Sequence, residues 1–459
     1  MSHRINTSAR LAGCCLLMAS PVAPARADEA PAVSTGADDA QAAAASPERP
    51  EAPLAANVAT PPQPRPFADT MTGDWGGLRT RLKNAGISVR ADYVSEAFAA
   101  VDGGVKRGTA YTQQVRFGTD LDLDKIAGWQ GATIHVTLND RRGVGISSDY
   151  VGNRLPIQEA YGGQYVRLGE VSYEQSFMDG RLDLRLGYFA MGNDLGGMAL
   201  GCNFVNAAFC AHPLSLSGDS GWYNYPNARW GGALRYRLRP DIALRTGVYQ
   251  VNADLGAEDN AFRPFAGGTT GVILPLEVEY DPGSAAGSRV LPGHYKLGVY
   301  YDTSRIARQG GGGTVRGRYG VYLLADQMIL RESGGRGISV FGQFTANPEA
   351  SAQITRWYAA GLVRTGTFAG RDADTVALGL VHARVDPRLR RAQVEAGLAP
   401  GGYASLPAGE TAIELSYGFQ ARRWLSIRPD VQYIVDPGAF SLRRTANALA
   451  LGCQVKMQF

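Results

Sequence analysis

Charged and amide side chains recur at every second position in several short stretches of this chain. That spacing places them together on one face of a strand. Arg90, Asp92 and Glu96 alternate with Val89, Ala91 and Tyr93. Gln114, Arg116 and Asp120 alternate with Val115 and Phe117, and Asp183 and Arg185 with Leu182, Leu184, Leu186 and Tyr188. Guanidinium forks beside carboxylates can hydrogen-bond a polar solute. A second group is aromatic: Trp222, Tyr223 and Tyr225 fall within Trp222-Tyr223-Asn224-Tyr225-Pro226-Asn227. Catalysis would need a nucleophile or an acid–base pair in a defined constellation. His135, His212, His294 and His382 are dispersed, with no G-x-S-x-G or H-E-x-x-H run around them. Glu277 and Glu279 stand two apart in an alternating strand rather than in an acid–base arrangement. Reversible binding is expected rather than covalent chemistry, with no metal site and no cofactor.

The elements that must hold these residues are strands. Sixteen strand-like segments run from Ile87 to Phe459, at about 87–98, 111–123, 131–139, 166–177, 182–192, 229–238, 242–252, 271–280, 294–302, 318–331, 337–346, 355–364, 374–383, 409–418, 425–435 and 448–459. The last is the clearest. Leu449, Leu451, Cys453, Val455, Met457 and Phe459 share one face; Gln454, Lys456 and Gln458 share the other. One such strand also suits the edge of a soluble sandwich. Many ten-residue strands of this kind, with hardly any long helix, suit a closed barrel with lipid outside and water inside. Connection lengths agree. Even-numbered segments are mostly followed by short turns such as 178–181 and 239–241. Odd-numbered ones are mostly followed by loops such as 140–165, 193–228 and 384–408, and the stretch 281–293 is an exception. The expected fold is an all-β, sixteen-stranded antiparallel transmembrane barrel over residues 87–459, preceded by a short helix within 67–86.

The N-terminus points to export. Arg4 and Arg10 precede the apolar run Leu11–Val22, and Ala25-Arg26-Ala27 fits a small-x-small cleavage site, so residues 1–27 read as a signal peptide. Residues 28–66, rich in Ala and Pro, bury too little apolar surface to fold and are expected to be disordered. In the helix that follows, Asp74 can cap the start and Gly86 the end. The whole chain carries a formal charge of +4; removing Arg4, Arg10 and Arg26 leaves it nearly neutral, which argues against a nucleic-acid partner. Only five of its 46 basic residues are lysine. Cys202 and Cys210, eight positions apart in an exported loop, are expected to form a disulfide. Cys453 lies on an apolar strand face and reads as a packing residue.

Two segments carry a resemblance. Thr72-Gly-Asp-Trp-Gly-Gly-Leu-Arg-Thr-Arg-Leu-Lys-Asn-Ala-Gly-Ile87 and Ser426-Ile-Arg-Pro-Asp-Val-Gln-Tyr-Ile-Val-Asp-Pro-Gly438 are similar to the N- and C-terminal signatures of the carbohydrate-selective porins of the OprB type. Family chains usually carry Asn where Asp436 stands, and either residue supports the turn. The resemblance spans about residues 70–459. It implies an outer-membrane barrel conducting monosaccharides such as glucose, with sugars and outer-membrane lipid as partners. It also implies that the terminal Phe459 is read by the barrel-assembly machinery.

On that reading, the pleat directs Arg90, Glu96, Gln114, Arg116, Asp120, Asp183 and Arg185 into the lumen, because a charge facing lipid costs up to ~2–4 kcal/mol near the midplane. Arg116 and Glu96 are expected to pair. The long loop 193–228 should narrow the pore. Its Trp222, Tyr223 and Tyr225 could stack on the C–H faces of a sugar, or equally could form the mini-core of a surface loop or part of the interface belt. A general diffusion porin and a plugged structural or adhesive barrel are the alternatives.

Overall fold

The computed structural model describes residues 67–459 apart from 68, 211 and 284–287; the expected signal peptide (1–27) and tail (28–66) lie outside the described residues. The strands are β1 (Ile87–Gly104), β2 (Gly108–Asp122), β3 (Ala132–Gly143), β4 (Val166–Phe177), β5 (Leu182–Phe189), β6 (Arg229–Arg239), β7 (Ile242–Val251), β8 (Gly271–Tyr280), β9 (Gly293–Ala307), β10 (Thr314–Arg331), β11 (Gly337–Ala346), β12 (Ile354–Thr365), β13 (Thr375–Val385), β14 (Gly409–Arg422), β15 (Leu425–Val435) and β16 (Ala446–Gln458). Each pairs antiparallel with its neighbours in sequence, and β16 pairs with β1 to close the barrel. Closure removes every free sheet edge. At the seam Glu96 lies opposite Gln454 and Tyr93 opposite Met457, so the polar and apolar faces of the first and last strands coincide.

All sixteen expected strands are present. The largest boundary difference is at the first hairpin, where β1 and β2 run on to leave only Val105–Arg107 between them. Gly103 and Gly104 adopt φ of 66° and 67°, and the β1–β16 register shifts beside them. These bulges let the polar stretch stay in the sheet. In contrast β5 ends at Phe189 rather than 192, because the chain turns inward at Ala190. Even-numbered strands end in connections as short as 240–241 and 423–424. The stretches 144–165, 190–228, 252–270 and 386–408 all follow odd-numbered strands.

The helix α1 (Leu78–Asn84) lies at the short-turn end. It starts later than Asp74 would place it, because Gly76 and Gly77 take left-handed φ of 64° and 90° and make a separate turn. Asp74 still satisfies the helix start: its Oδ1 accepts the Thr80 N–H at 2.8 Å. Gly86, at φ 89°, ends it. Buried Arg79 donates to the backbone oxygens of Val89 (3.0 Å) and Phe459 (2.8 Å), tying α1 to the seam.

Inside the barrel, several aromatic rings lie over glycines. A Cβ at Gly298 would collide with Tyr322, one at Gly320 with Tyr300, and one at Gly452 with Phe98. Removing the Cβ allows a ring to lie flat along the wall, which recovers apolar contact that glycine alone would lose.

Candidate functional site

Two long connections fold into the barrel: 144–165 between β3 and β4, and 190–228 between β5 and β6. A loop carried away from water must find partners for its backbone. Here wall carboxylates supply them. Glu410 accepts the N–H groups of Arg154 and Leu155, both at 2.8 Å. Glu414 accepts those of Val205 (2.6 Å) and Asn206 (2.9 Å). Glu96 accepts from Ala160 at 3.0 Å, Glu277 from Gly196 at 2.7 Å and Asp302 from Gly221 at 2.6 Å. The pattern reverses once: Asp219 on the loop accepts from Gln353 and Ile354 beside the wall, at 2.6 and 3.0 Å. Burial pushes the Asp219 carboxyl up to about 7 against the pull of those two donors. Charge-assisted bonds of this kind are short and roughly twice as strong as neutral ones.

Apolar packing completes the attachment. Phe204 and Phe209 stack with centroids 4.4 Å apart, and both meet Phe341 edge-on. Buried Trp357, Val363, Val381, Ala412 and Ile434 belong to the same cluster, so apolar residues share the covered inner face of β11–β15 with buried polar ones such as Glu414, Arg428, Asp430 and Gln432. A polar lumen all round was the expectation. The inserted loops cover this sector, so many of its wall residues, on β12 and β13 above all, can be apolar. The signal was present in β12 and β13, which carry apolar residues on both faces.

The expected site residues fall into distinct settings. Arg90 makes a bidentate pair with Asp120, both bonds 2.7 Å, and Asp120 also bonds His135 at 2.7 Å. Arg116 does not pair with Glu96. Its Nε meets Asp92 at 2.6 Å, because the register sets Asp92 directly opposite Arg116 and Glu96 opposite Thr112. Glu96 instead binds Gln454 at 2.6 Å and the Ala160 N–H. Gln114 accepts from Arg141 at 2.8 Å. Asp183 binds Arg237 at 2.9 Å, and Arg185 binds Glu170 and Asp194.

The loop aromatics divide. Trp222 is 1% exposed and packs among Phe189, Tyr249, Tyr300 and Tyr322, so the loop-core alternative describes it and it offers no face to the pore. Tyr223 is half-buried, with the Arg229 guanidinium 3.4 Å from its ring centroid. Tyr225 is buried; its hydroxyl accepts from Asn139 at 2.7 Å, and Arg116 lies over its ring. Cys202 and Cys210 are joined within the inserted loop. Cys453 is half-buried and is not in a disulfide. His212, fully buried in the same loop, is pushed down to about 3 by burial and stays neutral.

Sequence reasoning missed most of the accessible wall. Side chains of Arg235 (29% exposed), Arg237 (33%), Arg245 (21%) and Lys296 (20%) reach the lumen from β6, β7 and β9, around Glu279 and Asp183. The alternating run Arg235-Tyr-Arg237-Leu-Arg239 carries the signal. On β6, β7 and β9 these charges stay part-exposed, whereas Glu96, Arg141, Glu277 and Asp302 elsewhere on β1–β9 are buried under the loops.

A closed sixteen-stranded barrel, apolar outside, charged within and narrowed by inserted loops, is an outer-membrane porin. Residues 106–459 match the family described as carbohydrate-selective porin, OprB family, and the chain belongs to that family. It is 32% identical over 425 residues to Porin B of Pseudomonas aeruginosa, covering 86% of this chain and 92% of that protein. To the putative porin QuiX of Acinetobacter baylyi it is 27% identical over 421 residues, covering 85% and 93%. The high-pH structure of Pseudomonas putida OprB superposes with a TM-score of 0.78 at 30% identity, covering 85% of this chain and 99% of that one. The protein is a sugar-selective channel of the outer membrane.

Proposed function

We propose that the channel carries monosaccharides such as glucose by passive, saturable diffusion, without covalent chemistry. One observation carries this reading: two inserted loops pack on the wall at two apolar sides of the barrel, around Phe341 and around Tyr249, while charged side chains of β1–β9 such as Arg90, Asp92, Arg185 and Arg237 stay part-exposed to the narrowed lumen. A narrowed lumen brings a small solute against those side chains. Arginine forks can donate to adjacent hydroxyls, and carboxylates can accept from them. Weak binding raises occupancy without blocking flow. Arg90, Arg116 and Arg185 with their acidic partners, and Tyr223, are the side chains we assign to sugar contact. Lipid meets the outward apolar face, and Phe459 serves as the signal to the assembly machinery.

Liposome swelling with a panel of sugars and amino acids tests the proposal. Monosaccharides should enter faster than amino acids of equal size. Equal rates would leave a general diffusion porin, and no swelling would leave a plugged barrel.

A further inference from the structure

The inner faces of β5–β9 carry a charged row. Asp183 lies opposite Arg235, Arg235 opposite Arg245, Arg245 opposite Glu277, and Glu279 opposite Lys296. Nearly every member has a close partner. Asp183 takes Arg237 at 2.9 Å and Ser176 at 2.6 Å. Glu277 takes the Gly196 N–H and the Tyr322 hydroxyl, at 2.7 and 2.8 Å. Glu279 lies 2.9 Å from Arg245 and 3.3 Å from Lys296, and Lys296 also donates to the Gly197 oxygen at 2.9 Å.

Arg235 is the exception. Its nearest carboxylate oxygen, on Glu279, is 3.7 Å away, beyond hydrogen-bond reach. Its Nε is buried without a partner, and it donates no hydrogen bond to another described residue. It also stands directly across the strands from Arg245, which holds the Glu279 Oε2 at 2.9 Å and leaves Arg235 the farther of the two like charges from that oxygen. The guanidinium opens on the lumen in the same charged row as Glu277 and Lys296, which bind Gly196 and Gly197 of the inserted loop.

We propose that Arg235, with Arg245 beside it, forms an oxyanion subsite, so that the channel also takes sugars bearing a carboxylate: aldonates and uronates. This rests on the carbohydrate-channel reading and extends its substrate class. A carboxylate is planar with two acceptors, which the guanidinium fork matches in a way that an ammonium does not. A sugar phosphate shares the oxyanion chemistry, and the experiment distinguishes the sources.

The test is block of ion current through the purified full-length protein in planar bilayers, with glucose, gluconate, glucose 6-phosphate and inorganic phosphate added separately. Gluconate should half-block at a concentration roughly five-fold lower than glucose. Arg235→Gln should remove that preference while changing the glucose value much less, and Arg235→Lys should restore only part of it. Both variants must keep the heat-modifiable folded band of wild type; if Arg235→Gln does not fold, the wild-type comparison of gluconate with glucose decides. Stronger block by glucose 6-phosphate than by gluconate would support the subsite with phosphate as its preferred head group. Inorganic phosphate blocking as well as either sugar anion would overturn the sugar part of the proposal. Block by glucose without any gluconate preference would overturn the subsite and leave the sugar channel standing. Absence of block by glucose and gluconate alike would overturn both.

Discussion

Arg79 and Phe459, almost the whole chain apart in sequence, are joined: one Arg79 Nη donates to the backbone oxygen of Phe459 at 2.8 Å and to that of Val89 at 3.0 Å. Beside them, Phe459 donates its own N–H to Ala91 at 2.9 Å. The N-terminal helix therefore locks the first strand to the last residue of the barrel. Arg79→Ala should remove charge-assisted bonds from two part-buried backbone oxygens and cost about 1–3 kcal/mol. The check is the unfolding temperature of the heat-modifiable band, which should fall. Deleting Phe459 should instead lower the yield of folded protein in outer-membrane fractions.

The carboxylates that receive the loop amides should control the width of the pore. Glu410→Ala strips acceptors from Arg154 and Leu155, and Glu414→Ala strips them from Val205 and Asn206. Each orphaned buried N–H costs about 1–3 kcal/mol, enough to loosen an inserted segment while leaving the strand ladder intact. Single-channel conductance should rise and become noisier in both variants. Unchanged, quiet currents would show that the carboxylates do not hold the loops.

The ion pair at the β1–β2 wall should be specific. A double-mutant cycle on Arg116→Ala and Asp92→Ala should give a coupling energy on the order of 1–3 kcal/mol, whereas Arg116→Ala with Glu96→Ala should give a smaller one. Loss of Arg116 should also move ion selectivity toward cations, because Asp92 then faces the lumen uncompensated.

Within the inserted loop, the Cys202–Cys210 bond closes a short ring beside Phe204 and Phe209. Peptide mapping without reductant should recover the two linked. Cys202→Ser with Cys210→Ser should broaden the distribution of conductance states without changing the barrel's circular dichroism.

The barrel was legible because its physics is local. A period of two, read along β5, β8 or β16, reports which residues face outward, and short turns after even-numbered strands report which end they occupy. What stayed hidden depends on distant partners. Arg116 finds Asp92 rather than Glu96 through cross-strand register, and a shift of four residues, which keeps every side chain on the same face, is invisible in either strand alone. Trp222 sits in a run of aromatics that reads the same whether its ring meets a ligand or a core. The apolar cluster inside β11–β15 is covered only because loop residues fold onto it, although the two-faced apolar character of β12 and β13 hinted at it.

The central claim is that the pinned loops give a water-filled barrel its sugar selectivity. Its most direct test is the entry rate of glucose into liposomes relative to an amino acid of similar size, measured for wild type and for Glu410→Ala with Glu414→Ala. Wild type should admit glucose faster and with saturation; the double variant should admit both solutes faster and at nearly equal rates. Equal rates in wild type, or selectivity retained after the loops are freed, would contradict the account.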